Sequence, residues 1–296
     1  HWRKLPADHK GKDPNGNPIQ GKTWVSKSRL KTWFKPFKHQ AQFLKRVKKL
    51  PKEGGGLIAA HGTGTGKTIT AVAAFENMKD QGRAKRALVI TPAGLRNNFL
   101  ESGVEKFTGS KGVILKNAKK DIPDETEYVI VSYEAFRANP DSFIEKYKPD
   151  VLIADEFHRA GNPSSTTHKA VMGAREKVPY FIGLTASIAQ NNPSDVAPLL
   201  RLSSSGKSPI SDKKNFRKKF VRKTPNPKQR GIFGGRTYEK KLVNTDRLKK
   251  VLGADIHYLE DLDADKKPTK EVETVPVQMT KQQVQIYKDA MSGIDP

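Results

Sequence analysis

The chain has 296 residues and no cysteine, so it can form one large or two small domains without disulfides or thiolate metal sites. Its 55 Lys and Arg residues outnumber 31 Asp and Glu residues, which gives a net charge of +24. No apolar run approaches the roughly 20 residues that a membrane-spanning helix needs, which excludes that class. The lack of cysteine is typical of a reducing compartment, so we expect an intracellular location and no membrane partner.

The positive charge is concentrated in two zones. Residues 1–50 contain 14 basic and 2 acidic residues, residues 201–250 contain 17 and 3, and the rest is near neutral with 24 and 26. Such zones favour a polyanion partner, and nucleic acid is preferred because neither forms an amphipathic membrane helix. The alternative is two solvated segments without a partner.

The first 50 residues predict a basic lead followed by a helix. Residues 1–35 are rich in turn formers: Asn15-Gly16 favours a hairpin between Trp2 and Trp24, whereas the prolines favour an extended linker. A helical apolar face then predicts a helix that ends before Pro51. That face is formed by Phe37, Ala41, Phe43, Leu44, Val47 and Leu50.

Short apolar runs then alternate with helical patterns. Strands are predicted at 57–60, 87–91, 113–115, 128–132, 151–154 and 180–184, and helices at 69–78, 94–107, 133–147 and 166–176. This order predicts an α/β fold in which helices cover both faces of a parallel sheet, with ligands at the carboxyl ends of the strands. From 203 to 240 the chain is basic and rich in Gly, Pro and Ser, which predicts a mobile insertion; further helices are predicted at 245–252 and 281–291.

A glycine-rich loop lies between the first predicted strand of the sheet and the next helix. The sequence AAHGTGTGKT occupies residues 59–68, and His61 stands where the strict phosphate-loop pattern has Gly. In such a loop the backbone N–H groups and the helix N-terminus bind phosphate, Lys67 reaches the β- and γ-phosphates and Thr68 holds Mg²⁺. We therefore predict an ATP site formed by Gly62, Thr63, Gly64, Thr65, Gly66, Lys67 and Thr68; the alternative is a chance Gly-rich turn.

Two adjacent acids follow the apolar strand at 151–154. A nucleotide hydrolase needs one carboxylate for Mg²⁺ and one to orient and deprotonate the attacking water. Asp155 is placed for the metal and Glu156 for the base, with a solvated turn as the alternative. His158 and the hydroxyls of Thr185 and Ser187 are candidates to connect this motif with the next strand end. The alternatives are a structural role for His158 and capping of the next helix by the two hydroxyls.

Taken together, these motifs resemble the first RecA-like lobe of superfamily 2 helicases, and most closely the Swi/Snf-type DNA translocases. The matching stretches are KPFKHQ at 35–40, GTGKT at 64–68, LVITPAGL at 88–95, VIVSYE at 129–134, DEFH at 155–158 and LTASIAQNN at 184–192. NFRKKF at 215–220 resembles the family's basic-aromatic segment, and residues 268–287 resemble the entry to a second lobe.

The resemblance implies an ATP-dependent DNA motor with ATP and Mg²⁺ as cofactors. It implies that Gln40 contacts adenine, for which a Gln on the helix surface without a ligand is the alternative. It also implies that His158, Thr185, Ser187 and Gln190 couple ATP hydrolysis to movement. Phosphates of nucleic acid, with duplex DNA favoured, would be held by Thr91, Pro92, Ser132 and Tyr133, while Lys218 and Lys219 in the basic segment add non-specific affinity.

The chain also departs from the family. Thr185-Ala186-Ser187 replaces the usual Thr-Gly-Thr-Pro, and His257-Tyr258 stands where an arginine pair is common. No second lobe is present and the chain begins at His1, so we expect a part of a longer polypeptide that supplies arginine fingers. The predicted division is a basic extension at 1–35, the first lobe at 36–202, a basic insertion at 203–262, and at 263–296 a return to the lobe and the link to the second.

Two other functions remain open from the sequence. A strand-separating helicase or the motor of a restriction system would share this ATPase core. A non-catalytic DNA-binding or packaging protein with a relic nucleotide site is the alternative from another class, against which the intact Lys67, Thr68, Asp155 and Glu156 count. Protein partners are not predicted.

Overall fold

A computed structural model of the chain describes residues 2–4, 24–26, 35–187, 195–204, 212–230, 236–259, 278, 280 and 282–286. The chain divides into two compact units, His1–Leu262 and Asp263–Pro296. In the second unit, residues 282–286 are helical, and the Thr280 hydroxyl accepts a hydrogen bond from the Gln283 backbone N–H at 3.3 Å.

A seven-stranded sheet organises the first unit. The described strands are, in chain order, β1 (Trp2–Lys4), β2 (Trp24–Ser26), β3 (Gly55–His61), β4 (Ala87–Thr91), β5 (Gly112–Leu115), β6 (Tyr128–Ser132), β7 (Val151–Ala154), β8 (Tyr180–Thr185), β9 (Val221–Arg230), β10 (Arg236–Leu242) and β11 (Ile256–Leu259). The large sheet has the order β11-β3-β8-β7-β4-β6-β5, and all its pairs are parallel. The pairs β1–β2 and β9–β10 are antiparallel and separate from it.

Helices cover both faces of this sheet. The α-helices are α1 (Lys38–Lys48), α2 (Lys67–Asp80), α3 (Arg96–Asn98), α4 (Tyr133–Ala138), α5 (Pro140–Tyr147), α6 (Thr166–Lys177), α7 (Val196–Ser203), α8 (Lys213–Phe220) and α9 (Thr245–Asp255). The first unit also contains two 3₁₀ turns, Ala93–Leu95 and Phe157–Ala160, and a π-helical segment, Phe99–Glu105. One apolar layer holds α1 and α2, and the other holds α4 to α9.

The central strands form because their residues are apolar almost without interruption. β4, β6, β7 and β8 are buried along their whole lengths, which suits parallel strands covered on both faces. The sheet with helices on both faces confirms the predicted RecA-like α/β fold.

Close packing at the amino end of β3 explains its glycines. Gly56 lies so near the end of α7 that an added Cβ would be only 2.3 Å from the Ser203 carbonyl oxygen. The strand predicted at 57–60 is longer in the structure, because Gly55 and Gly56 also belong to β3. The glycines are needed here because a backbone from another element occupies the space of a side chain.

Other parts of the secondary structure differ from the predictions. The helix predicted at 133–147 is broken at Asn139, because Pro140 disfavours helical backbone in the residue before it and cannot donate the next hydrogen bond. Phe37, predicted on the apolar face of the first helix, precedes α1 and is 52% exposed. The tail of the motif at 188–192 and most of residues 1–35 lie outside the described residues.

The basic segment is more regular than predicted. Helix α8 packs through Phe216 and Phe220, and the β9–β10 ladder follows it. β11, for which no strand was predicted, pairs with β3 in the large sheet. The four-part division of the chain stays a prediction. Within the part of the chain that the structure describes, no helix is long and apolar enough to span a bilayer.

Candidate nucleotide site

The glycine loop connects β3 to α2 at the carboxyl end of the sheet. Gly64 and Gly66 have φ values of 73° and 79°, a left-handed conformation that residues with a Cβ rarely adopt. Gly66 precedes α2, and no side-chain hydrogen bond caps this helix among the described residues. The first N–H groups of α2 and the positive end of its dipole are therefore available to an anion.

Lys67 is folded back into the loop. Its Nζ donates to the Gly62 carbonyl at 3.1 Å, and the Thr65 hydroxyl donates to the same oxygen at 2.8 Å. Thr63 and Gly64 are exposed at the turn. The loop is thus held in a closed form by its own side chains, and Lys67 must leave the Gly62 carbonyl to reach a phosphate.

Helix α1 supports the loop from outside. The Gln40 amide is buried; its Nε2 donates to the Gly66 carbonyl at 3.3 Å and its Oε1 accepts from the Phe37 N–H at 2.8 Å. His39 Nε2 lies 3.0 Å from the Thr65 carbonyl and, facing an acceptor, is the donor. The role predicted for Gln40, adenine recognition, stays a prediction. The structure adds that this side chain also holds the loop.

His61, which stands in place of the first glycine of the strict loop pattern, contacts a second histidine. His61 is fully buried and its Nε2 lies 2.8 Å from Nδ1 of His257 in β11. Burial, followed by the neighbouring His257, lowers the pKa of His61 to about 3, and burial lowers the pKa of His257 to about 4. Both rings are therefore neutral near pH 7. His61 and His257 lie 196 positions apart, so no local sequence pattern connects them.

Asp155 follows β7 and is held on several sides. Its Oδ2 accepts from the Thr91 hydroxyl at 3.0 Å, its Oδ1 accepts from the Glu156 N–H at 3.0 Å, and the Tyr133 hydroxyl donates to its backbone carbonyl at 2.7 Å. Burial raises the pKa of the Asp155 carboxyl, while the Thr91 hydrogen bond acts in the opposite direction. The contacts from the Thr91 hydroxyl and the Glu156 N–H fix the direction of this carboxylate, while the Tyr133 hydroxyl holds the Asp155 backbone.

Glu156 takes part in a second series of hydrogen bonds, separate from that of Asp155. His158 Nδ1 lies 3.3 Å from Glu156 Oε2 and 3.3 Å from the Thr185 hydroxyl, which donates to the Ser187 carbonyl at 2.7 Å. Because that hydroxyl has only one hydrogen, Nδ1 of His158 is the donor in both of its contacts. The hydrogen bond from His158, supported by the charge of Lys67, lowers the pKa of Glu156.

Glu156 also has an unusual backbone. Its φ of 48° lies in the left-handed region, which costs a non-glycine residue about 1 kcal/mol or more. In this conformation its Oε2 lies 3.3 Å from His158 Nδ1. The predicted candidates Glu156, His158, Thr185 and Ser187 are thus brought together, while Gln190 lies outside the described residues.

The oxygen ligands suit Mg²⁺. The hydroxyl of Thr68 and the carboxylate of Asp155 are hard oxygen donors of the kind this ion prefers. Across the described residues, no group of three or more His, Asp or Glu side chains could enclose a metal. Mg²⁺ bound here would therefore take its other ligands from phosphate oxygens and water, as is usual at nucleotide sites.

The predicted nucleic-acid residues divide into buried and exposed groups. The side chains of Thr91, Ser132 and Tyr133 are buried, and the Ser132 hydroxyl accepts from the Ala135 N–H at 3.1 Å. Pro92 is half-buried, but residues 93–95 directly after it are exposed. Lys218 and Lys219 are exposed on α8. Surface contact after β4 is thus available from the backbone N–H groups of Ala93 and Gly94, within the LVITPAGL motif, whereas the Leu95 N–H donates to the Pro92 carbonyl at 2.8 Å.

Residues 33–190 match the family model for the type III restriction enzyme, res subunit (ResIII). The chain belongs to the ResIII family. With its RecA-like sheet and its motifs, this ResIII chain is a first lobe of the Swi/Snf type within superfamily 2, a helicase-like ATPase domain related to the SNF2 translocases.

Curated relatives of this ResIII chain are helicases and repair proteins. It is 26% identical over 191 residues to the Bacillus subtilis protein named "Uncharacterized ATP-dependent helicase YqhH", which covers 64% of this chain and 33% of that protein. It is 31% identical over 134 residues to "DNA repair and recombination protein RAD54" of Oryza sativa, covering 39% and 14%. The ResIII chain thus spans a third or less of the length of these relatives.

Two solved structures share the fold. The "SWI2/SNF2 ATPase core domain" of Sulfolobus solfataricus is 21% identical with a TM-score of 0.62, and covers 91% of this ResIII chain and 52% of that chain. The same core "in complex with dsDNA" is 20% identical with a TM-score of 0.60, covering 78% and 45%. At these identities the similarity shows the fold alone.

Proposed function

We propose that this chain is the first lobe of an ATP-driven translocase on duplex DNA. The observation that carries the proposal is the contact of the Thr91 hydroxyl with Asp155 Oδ2 at 3.0 Å, because it joins the acidic motif to the strand that ends at the exposed turn 93–95. The nucleotide residues and a candidate DNA-binding turn then share one edge of the sheet. The duplex bound by the related solved core supports DNA as the substrate.

In this proposal the loop binds the phosphates of ATP. The N–H groups at the start of α2 receive the phosphate oxygens, and Lys67 exchanges the Gly62 carbonyl for the β- and γ-phosphates. Thr68 and Asp155 are the residues that would hold Mg²⁺, which would neutralise charge on these phosphates. Glu156, kept ionised by its contact with His158, orients the attacking water and accepts its proton.

The chain contacts nucleic acid through its backbone and its basic helix. The hydroxyls of Thr91, Ser132 and Tyr133 are engaged within the lobe, and the Leu95 N–H donates to the Pro92 carbonyl, so phosphates are bound by the N–H groups of Ala93 and Gly94 and by the backbone of the turn at 132–133. A second RecA-like lobe closes over the nucleotide, supplies arginine fingers and makes each ATP cycle a step along the strand.

The deciding experiment is ATP hydrolysis by the longest available parent polypeptide. Rates are compared without nucleic acid and with duplex DNA, single-stranded DNA or RNA, beside Lys67→Ala and Glu156→Gln. We expect duplex DNA to stimulate hydrolysis most, and Glu156→Gln to lose about 10²- to 10⁴-fold in rate while keeping nucleotide binding. Preference for single strands would contradict the translocase, and DNA binding without any hydrolysis would indicate a relic site.

A restriction-system motor is the second candidate, because the matching family is that of the type III restriction enzyme res subunit. Such a motor shares the site described above, and so does a strand-separating helicase. Unwinding of a tailed duplex identifies the helicase. ATP-dependent displacement of a protein block from an intact duplex supports translocation without unwinding.

The basic helix α8 gives a separate test of DNA binding. Lys218 and Lys219 are exposed while Phe216 and Phe220 anchor the helix. If each lysine neutralises one phosphate, Lys218→Glu/Lys219→Glu should reduce the slope of log affinity against log salt by about 2. The matched control is Lys52→Glu/Lys85→Glu, which makes the same charge change at exposed residues before β3 and β4. Equal slopes in the two variants would show that α8 does not contact DNA.

A further inference from the structure

The π-helical segment Phe99–Glu105 lies directly against the start of α2. Gly103, in this segment, is buried, and a Cβ added to it would lie 2.8 Å from Cγ2 of Thr68 and 3.8 Å from Cγ2 of Val72. Thr68 and Val72 are one helical turn apart, so their methyl groups flank the Gly103 backbone. A side chain at position 103 has no room unless Thr68 moves.

Movement of the Thr68 methyl also moves its hydroxyl. Both groups are bonded to the same Cβ, and the only rotation that displaces Cγ2 is around χ1. A turn of χ1 to the next staggered position would redirect the hydroxyl by about 120°. The backbone surface at Gly103 therefore determines where the Thr68 hydroxyl points.

We propose that Gly103 is a positioning residue for the Mg²⁺–nucleotide site: its bare backbone lets the Thr68 methyl pack against it, and so directs the Thr68 hydroxyl toward the metal. This inference rests on the proposed function, in which Thr68 is a metal ligand. It adds a residue that touches neither the nucleotide nor the metal and that lies 35 positions beyond the loop.

Local structure supports a specific need for glycine at this position. Glycine is less favourable than alanine inside a helix, so helix formation alone favours alanine here. π-Helical turns are rare and are frequently found at functional sites. Phe99 and Val104 on the same segment are fully or almost fully buried, which anchors the segment in the core. The position of Gly103 is thus fixed by its neighbours. A side chain at position 103 would therefore displace the Thr68 side chain rather than the segment itself.

The test moves one methyl group between two residues. Gly103→Ala adds a methyl that displaces the Thr68 side chain, whereas Thr68→Ser removes the methyl that directs the hydroxyl. In the double variant the alanine methyl fills the space left by the threonine methyl and restricts the serine hydroxyl again. Gly173→Ala is the matched control, since Gly173 lies in α6 and an added Cβ meets no atom within 4 Å.

Binding of a fluorescent, non-hydrolysable ATP analogue is measured over a Mg²⁺ titration and in EDTA, with thermal unfolding of each variant. We expect Gly103→Ala to weaken Mg²⁺-dependent binding by roughly 10-fold, the range for residues that orient a metal ligand. Binding in EDTA should be unchanged. Thr68→Ser should also weaken binding, and the double variant should bind more tightly than either single variant.

Each outcome distinguishes the inference from the function on which it rests. Mg²⁺-dependent binding by the wild type with Gly103→Ala equal to Gly173→Ala overturns the positioning role alone. Additive losses in the double variant overturn it as well. If Gly103→Ala does not fold, the comparison of Thr68→Ser with the double variant decides. Failure of the wild type to bind the analogue with Mg²⁺ overturns the proposed function, and the positioning role with it.

Discussion

Thr91 connects two strand ends at the proposed metal site. Its buried hydroxyl donates to Asp155, whose pKa is raised by burial and lowered again by this hydrogen bond. The carboxylate form, which would hold Mg²⁺, therefore depends on a residue that the motif predicts as a nucleic-acid contact. Against burial, which raises the pKa of Asp155, this hydroxyl favours the ionised carboxylate together with the Glu156 N–H and the charge of Lys67.

Thr91→Val removes this hydroxyl and keeps the side-chain shape. The pKa of Asp155 should rise further, so the loss of ATPase activity on acidification should begin at a higher pH. The free energy of unfolding at pH 7 should fall by about 1.5–3 kcal/mol, the usual contribution of a hydrogen bond to a charged group. The measurements are the pH profile of kcat/KM and urea unfolding. Thr108→Val, at a buried threonine bonded to the Val104 carbonyl, should lower stability without moving the profile.

The buried pair His61–His257 makes stability depend on pH. The pKa of His61 is about 3 in the folded chain and about 6.5 when unfolded, so the unfolded state binds more protons between these values. The stability that neutral His61 contributes is present above pH 6.5 and is lost on acidification. The free energy of unfolding should fall for this reason by up to about 2 kcal/mol between pH 7 and pH 5.

His61→Asn should therefore flatten the fall in the free energy of unfolding between pH 7 and pH 5. Urea unfolding of wild type and variant at pH 7 and pH 5 measures this fall in the free energy of unfolding. An identical fall in wild type and variant would show that His61 is not neutral in the folded protein, or that other groups carry the dependence.

At the scale of elements, β3 has no room for a side chain where its backbone passes the end of α7. Gly56→Ala places a Cβ 2.3 Å from the Ser203 carbonyl at the end of α7, and neither backbone can yield easily. We expect the free energy of unfolding to fall by about 1–3 kcal/mol, as for other overpacked sites. Gly173→Ala, in open space within a helix, should instead raise it by about 0.5–1 kcal/mol. Urea unfolding at neutral pH measures both, and a neutral Gly56→Ala would show that α7 can shift away.

The sequence predicts those elements that can be recognised from a continuous local run of apolar residues. β4, β6 and β7 were predicted at their observed bounds, because buried parallel strands are apolar throughout. β11 was missed because Ile256–Leu259 contains His257 and Tyr258, and only pairing with β3 makes it a strand. The α4–α5 break could have been predicted from Pro140 alone.

The candidate site shows the same limit. Loop and acidic residues are identified by motif, since their spacing is local. The contacts Tyr133–Asp155, Thr91–Asp155 and His61–His257 join distant positions and follow only from strand order. Strand order is set by packing of the whole sheet, which no local pattern contains.

At the scale of the molecule, the ATPase is proposed to need a second lobe. The described lobe supplies Lys67, Asp155 and Glu156, whereas arginine fingers are expected from the other lobe. Purified residues 1–296 should therefore hydrolyse ATP about 10³- to 10⁵-fold more slowly than a longer polypeptide with duplex DNA. Steady-state hydrolysis at matched concentrations measures the ratio, with Glu156→Gln as the background. Fast turnover by residues 1–296 would contradict the need for a second lobe.

The order of strands has a consequence for synthesis on the ribosome. β3, which carries the glycine loop, is covered on one side by β8 and on the other by β11, about 200 residues later. At 5–20 residues per second, one edge of β3 therefore waits roughly 10–40 s after its own synthesis for its partner. An unpaired apolar edge is a template for association with other chains. During this wait the nascent chain is thus vulnerable to aggregation at the strand on which its proposed ATP site is built.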